Sequence, residues 1–412
     1  MSRKILLLLL IAFNAQFLIY AQLFHEQYFK RPPLVLNLET VPEVKSKSAV
    51  LIDAETGTLL YFKNGNEEIP PASLAKLMAM HIAMKEIAAG RASPGDIVPI
   101  TEESWARNMA RRSSLMFLEP GQIVTLKEIL LGLAVPSGND AAVAAALHFA
   151  PGVREFGLMM TAEARDMGLS VTRFVEPSGL SEENMTTAAE FAFFCMRYIK
   201  LYPDNLREYH SVPEFSYPLA ANVPGSSKNR LSTITQSNRN SLLGVLPGVD
   251  GLKTGYIEES GYNIALTAER ENTRFISVTL GADSIRERET DGTVLMSWAF
   301  ENFKTVRVNI DQIEKARLWK GKDNYVELKL AHSADFTSPV DRSSLLVYEF
   351  IIDGPLIAPL PAGFPAGHLV ICDEYGEVNK IPLITAAACE KGNIFKRIWH
   401  SFRILFMSKN NT

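Results

Sequence analysis

Cysteine is nearly absent from this chain. Three thiols, Cys195, Cys372 and Cys389, serve 412 residues, an odd and sparse set that is no disulfide framework. A Cys372–Cys389 bridge stays open, because spacing alone does not decide disulfide geometry. Cys195 lies in the apolar stretch Phe191-Ala192-Phe193-Phe194-Cys195-Met196 and reads as an inert core thiol. The seven histidines are scattered, and no Cys/His cluster has metal-ligand spacing, so neither metal nor cofactor is expected. An excess of one charge is also missing. The 42 Lys and Arg against 46 Asp and Glu leave a formal net charge of -4, which argues against general nucleic-acid binding. What remains is the composition of a globular protein, 47% apolar and 21% charged, with room for two or three domains.

The N-terminus has the one long apolar run. Ser2-Arg3-Lys4 precedes a stretch from Ile5 to Phe13, and the segment exits at Ile19-Tyr20-Ala21. A positive start, an apolar middle and a small-residue exit read as a secretory signal over residues 1–21. The competing reading is an uncleaved anchor, which the polar Asn14 and Gln16 disfavour. Either reading places the bulk of the chain outside the cytoplasm.

The next informative stretch is Pro71-Ala72-Ser73-Leu74-Ala75-Lys76. It opens a run that is apolar around most of a helical circumference and stops at Gly90, the pattern of a buried helix. Ser73 and Lys76 are three residues apart and share a helical face. A serine hydroxyl needs an adjacent base to act as a nucleophile. A lysine is such a base only if burial or a second cation depresses its pKa. Alone, the stretch is equally well a helix-capping serine and a surface lysine.

Strand signals flank a helical middle. Residues 49–53 and 58–62 read as a hairpin, and 263–268 and 275–280 as two strands joined by a charged turn. Helical spacing covers 126–133, 141–149, 154–167, 187–198 and 289–303. The predicted class is α+β: one antiparallel sheet built from both ends of the domain, with a large helical insertion packed against it. From 304 to about 385 the chain changes to short alternating runs punctuated by Pro and Gly, a small all-β domain. A basic, aromatic segment follows, with Ile394, Phe395, Ile398, Phe402 and Leu405 on one helical face and Lys396, Arg397 and Arg403 for charge. It is too short and too charged to span a bilayer, and it suits a membrane interface or a protein surface. The domain plan is therefore 1–21 signal, 40–303 catalytic domain, 304–390 β domain and 391–412 amphipathic anchoring helix.

Two further motifs give Ser73 and Lys76 their meaning. Ser137-Gly138-Asn139 sits in a loop between two predicted helices. Lys253-Thr254-Gly255 leads into the late strands. The order S-x-x-K, S-G-N, K-T-G, on a helix start, a loop and a strand edge, is the serine acyl-transfer constellation of penicillin-binding proteins and class A β-lactamases. The chain resembles the low-molecular-mass penicillin-binding proteins that act as serine-type D-alanyl-D-alanine carboxypeptidases on peptidoglycan stem peptides. The resemblance covers nearly the whole chain and extends to Ser237-Asn238-Arg239-Asn240 and Arg288-Glu289-Thr290-Asp291. It implies the penicillin-binding transpeptidase fold and places the protein at the periplasmic face of the cytoplasmic membrane, peripherally anchored. It implies a nucleophile Ser73, a base Lys76, and a Ser137 that bridges Lys76 and Lys253 and passes a proton to the departing amine. Asn139 would orient Lys76 and the substrate amide. Lys253, Thr254 and Arg288, supported by Arg239, would hold the substrate carboxylate. Gly255 and Tyr256 would line the groove, with the Ser73 and Tyr256 N–H groups as oxyanion donors. The implied partners are stem peptides ending in D-Ala-D-Ala, β-lactam inhibitors, and a membrane surface through the C-terminal helix.

Two departures stand out. Tyr256 takes the place where some relatives carry His. Glu176, in Glu176-Pro177-Ser178-Gly179-Leu180, resembles the water-activating Glu loop of class A β-lactamases, and it reads either as that or as a loop cap. The alternative activities on this scaffold are a β-lactamase, a DD-endopeptidase and a non-catalytic cell-wall scaffold.

Overall fold

The computed structural model describes residues 41–223, 232–310, 313, 315–342, 345–373 and 376–409. The signal segment 1–21 lies outside the described residues. The chain divides into two compact units, one ending at Glu301 and the other beginning at Asn302.

The first unit is built on a five-stranded antiparallel sheet. Its strands are β1 (Ser48–Asp53), β2 (Leu59–Lys63), β3 (Val249–Ile257), β4 (Gly261–Arg270) and β5 (Thr273–Ala282). Their order in space is β2-β1-β5-β4-β3. The early hairpin joins the late strands through β1, whose Val50 faces Val278 and whose Ile52 faces Ile276. The two ends of the unit therefore share one sheet, as the sequence predicts.

Six helices belong to this unit: α1 (Ala75–Ala88), α2 (Leu126–Ala134), α3 (Asn139–Phe149), α4 (Val153–Asp166), α5 (Ala188–Leu201) and α6 (Ile285–Asn302). The first ten residues of α1, through Met84, are all buried, so this helix is the axis of the insertion. Gly90 follows it with φ 69°, the left-handed stop that the sequence signals. Helix α2 begins at a capping box in which Thr125 Oγ1 accepts from the Glu128 N–H and Glu128 Oε2 accepts from the Thr125 N–H. Helix α5 is aromatic on its inner side, with Phe191, Phe194 and Tyr198 buried.

Several elements differ from the sequence reading. Helix α6 starts four residues before 289, because Ser284 Oγ accepts from the Glu287 N–H and extends the polar first turn. A short hairpin, Glu214–Tyr217 with Ile234–Ser237, has no counterpart in the prediction. Its four-residue strands are too short to show a period.

The second unit is mainly antiparallel β structure. Its largest sheet orders the strands Leu328–Leu330, Gly376–Thr385, Pro365–Asp373 and Val347–Ile352. Leu318, Phe336, Leu369, Ile371, Ile381 and Leu383 fill its core. Cys372 and Cys389 are free thiols, as is the buried Cys195, whose pKa burial pushes up. Helix α7 (Ile394–Lys409) closes the chain.

Candidate active site

Ser73 sits in a single 3-10 turn, Ala72–Leu74, that feeds directly into α1. The turn is clamped from two sides by chain that has no room for a side chain. On one side is Gly179, at φ 81°, where a Cβ would fall 1.9 Å from Ala72 O and 2.8 Å from Ser73 N. On the other is Gly255 of β3, where a Cβ would fall 2.9 Å from Pro71 O and 3.0 Å from Ser73 N. Asn263 of β4 adds a tie, donating from Nδ2 to Pro70 O at 3.0 Å. Ala72 itself takes φ 52°, a conformation that alanine holds only where its surroundings over-determine it.

Lys76 lies one turn further along, fully buried. Its Nζ is 3.0 Å from Ser73 Oγ, 2.7 Å from Asn139 Oδ1 and 2.5 Å from Ser178 O. Burial pulls the Lys76 ammonium down to about 7, while the carboxylates of Glu176 and Asp140 hold it from falling further. A lysine poised near neutrality is suited to accept a serine proton.

Asn139 is the first residue of α3, and Asp140 behind it fixes the wall of the cleft. The Asp140 carboxylate accepts from the N–H groups of Met116, Phe117, Leu118 and Ala141 at 2.8 to 2.9 Å. Burial raises its pKa, and those donors pull it back. Ser137 precedes this helix at φ 64° and is nearly buried. Among the described residues its hydroxyl makes no hydrogen bond to Lys76 or Lys253, whose partners are Ser73, Asn139 and the Ser178 and Thr254 carbonyls.

Lys253 and Thr254 are buried on β3, the edge strand. Lys253 Nζ donates to Thr254 O at 2.9 Å. Burial, then the charges of Lys76, Arg288 and Arg239, hold its ammonium well below the ordinary lysine range. Arg239 is tied to the Ser137 loop, its N–H donating to Val135 O and its Nε to Pro136 O. Arg288, only 6% exposed, forms an ion pair with Glu289 at 3.6 Å, and among the described residues its buried Nε has no partner. The result is a pair of arginine cations, Arg239 and Arg288, beside the buried Lys253, with little countercharge. Such a set attracts an anion. Tyr256 is half-exposed at the rim and packs on Tyr262 at 4.4 Å between ring centroids.

Glu176 does not project a free carboxylate into this cleft. Its Oε1 accepts from Gly179 N, Ser181 N and Asn184 Nδ2, and its Oε2 from Ser178 N and Ser178 Oγ. The residues that motif reading passes over are Ser178, Gly179 and Asp140. Ser178 contributes a backbone carbonyl, which leaves no trace in sequence. The signal available for Gly179 is a glycine in the loop Glu176-Pro177-Ser178-Gly179-Leu180.

Comparisons with known proteins point to one family. The family of D-alanyl-D-alanine carboxypeptidases matches residues 36–284, and the family described as penicillin-binding protein 5, C-terminal domain, matches residues 300–391. The D-alanyl-D-alanine carboxypeptidase DacD of Escherichia coli is 32% identical over 87% of this chain and 90% of its own length. DacF of Bacillus subtilis, of the same description, is 32% identical over 81% and 83%. Among solved structures, penicillin-binding protein 5 of Haemophilus influenzae superposes with a TM-score of 0.76 at 29% identity, covering 85% of this chain and 99% of that one.

Proposed function

The chain belongs to the D-alanyl-D-alanine carboxypeptidase family, and from that premise we propose how its cleft removes the terminal D-alanine from peptidoglycan pentapeptide stems. The activity is serine-type peptide hydrolysis. Ser73 Oγ attacks the carbonyl between the last two D-alanines while Lys76 Nζ takes the hydroxyl proton. The Oγ–C bond forms, the C–N bond breaks, and the proton passes through Ser137 to the departing amine. Water then hydrolyses the ester and frees Ser73. The N–H groups of Ser73 and Tyr256 stabilise the oxyanion, where losing one such donor costs about 2.7–4 kcal/mol. A β-lactam enters by the same acylation and remains as a Ser73 adduct.

The observation that supports recognition of a substrate with a free terminal carboxylate is the unpartnered, buried Arg288 Nε beside Lys253. A buried donor without an acceptor is costly. A free C-terminal carboxylate relieves it, by the planar match that arginine offers. An exposed helix face supports a second part of the reading. On α7, Ile394, Phe395, Ile398, Trp399 and Phe402 are 51–80% exposed. The opposite face is tied down by His400 Nδ1, which accepts the Lys320 N–H, and by Lys396 Nζ, which donates to Lys322 O. The side chain of Leu405 lies outside the described residues. No helix among the described residues is long and apolar enough to cross a membrane. We place α7 in the interface of a bilayer, holding an exported enzyme at the periplasmic surface.

The test is incubation with a pentapeptide ending in D-Ala-D-Ala, assayed for free D-alanine, with a penicillin adduct mapped by mass spectrometry. D-alanine release and an adduct on Ser73, both lost in Ser73→Ala, are expected. Release that persists in Ser73→Ala overturns the reading.

A further inference from the structure

The neutral amine of Lys76 has two N–H bonds and one lone pair. Two of its three close neighbours, Asn139 Oδ1 and Ser178 O, act only as acceptors and must each receive an N–H. The third, Ser73 Oγ at 3.0 Å, is the one that can donate. With both N–H bonds committed, the lone pair is left facing Ser73. The aim of the base therefore depends on where the Ser178 carbonyl stands.

That carbonyl stands where Glu176 puts it. The carboxylate gathers the N–H groups of Ser178, Gly179 and Ser181, the Ser178 hydroxyl and the Asn184 amide into one tight turn. Five donors fill the acceptor sites of a carboxylate, so none is left to activate water. The same turn presses Gly179 against Ala72 O and Ser73 N, so one side chain braces the nucleophile and its base together.

We propose that Glu176 is a positioning residue for acylation: it builds the turn that aims the Ser178 carbonyl at Lys76 and thereby turns the lone pair of the neutral amine onto Ser73 Oγ. The proposal rests on the carboxypeptidase reading above. It has an electrostatic companion. The charged groups facing Lys76 are Glu176 from this loop, Asp140 from α3 and Lys253 from β3. The Glu176 charge favours the ammonium. Removing it lets Lys76 lose its proton at lower pH, while removing the turn lowers the rate once the proton is gone.

The test measures the second-order rate of penicillin acylation from about pH 5 to about pH 9 in the full-length protein, with active sites counted by the adduct at saturation. For Glu176→Gln the plateau rate is expected to fall about tenfold or more, a loss typical of misaligned catalytic groups, and the acid limb to move to lower pH. For Glu176→Asp, which keeps the charge, the limb stays in place and part of the plateau returns. A wild-type plateau and limb in Glu176→Gln, even with a lowered melting temperature, reduces Glu176 to a loop support and overturns the proposal. Normal acylation with slowed loss of the adduct makes Glu176 a hydrolytic base and also overturns it. If Glu176→Gln does not fold, Glu176→Asp decides: a lowered plateau supports the proposal and a wild-type plateau contradicts it. Failure of the underlying reading is distinguishable, because then the wild-type protein itself forms no adduct and releases no D-alanine.

Discussion

At the scale of single residues, the cleft is a problem of charge without countercharge. Lys76 and Lys253 are both buried, burial lowers the pKa of each, and the Lys76 charge lowers that of Lys253 further. Arg288, like Arg239, cannot lose its proton at any ordinary pH, so both are permanent cations of the set, and the Arg288 Nε has no acceptor among the described residues. Substrates with and without a free terminal carboxylate separate this role from general support. Arg288→Ala is expected to lower kcat/KM for a peptide ending in free D-Ala-D-Ala about 10- to 200-fold, the worth of a charge-assisted hydrogen bond. The corresponding C-terminal amide should be hydrolysed poorly by both proteins and at similar rates. An equal loss on both substrates would make Arg288 a structural residue. Motif reading reached Arg288 and Arg239 through resemblance, since nothing in their local pattern marks an arginine of α6 as buried.

At the scale of elements, the nucleophile turn is set by what packs on it. The 3-10 turn carrying Ser73 is held between the Gly179 loop and strand β3, and both contacts are backbone against backbone. Gly179→Ala places a Cβ 1.9 Å from Ala72 O and forces a side chain into φ 81°. The left-handed backbone alone costs about 1–3 kcal/mol. Acylation by penicillin should be lost while far-UV circular dichroism stays near wild type. Retained acylation would mean that the turn has room to spare. Helix α1 was legible because a run apolar on all sides admits few readings, and its Gly90 stop is local chemistry. The sheet was legible because both of its halves show strand signals. The loop that supplies the Ser178 carbonyl was not, since its position depends on Glu176, Asn184 and the distant Ala72. The two readings left open for Glu176 are separated only by its hydrogen-bond partners, which no spacing encodes. The Ser137 bridge is likewise a property of geometry, and among the described residues Lys76 and Lys253 bond to other partners.

At the scale of the whole molecule, the proposed membrane-interface role of α7 predicts that the protein divides two tasks between its parts. Removal of residues 391–412 is expected to abolish cosedimentation with vesicles containing anionic lipid and to leave hydrolysis of a soluble pentapeptide unchanged. In the full chain, Phe395→Glu with Trp399→Glu should act in the same direction, because both side chains are exposed and a buried charge opposes insertion. Vesicle binding that survives both changes would assign α7 another role. The central claim is that the first unit, by burying Lys76, lets a large share of its amine stand uncharged beside Ser73 at neutral pH. The most direct test is a titration of the Lys76 13Cε resonance in 13C-lysine-labelled protein, assigned by its disappearance in Lys76→Arg, with penicillin acylation measured over the same pH series. The account predicts a midpoint at about 7, with acylation rising as pH increases through that midpoint, because the deprotonated amine is the active form. A Lys76 that titrates in the ordinary lysine range, near 10.4 as in about every exposed lysine, with acylation already at its plateau at neutral pH, would contradict it.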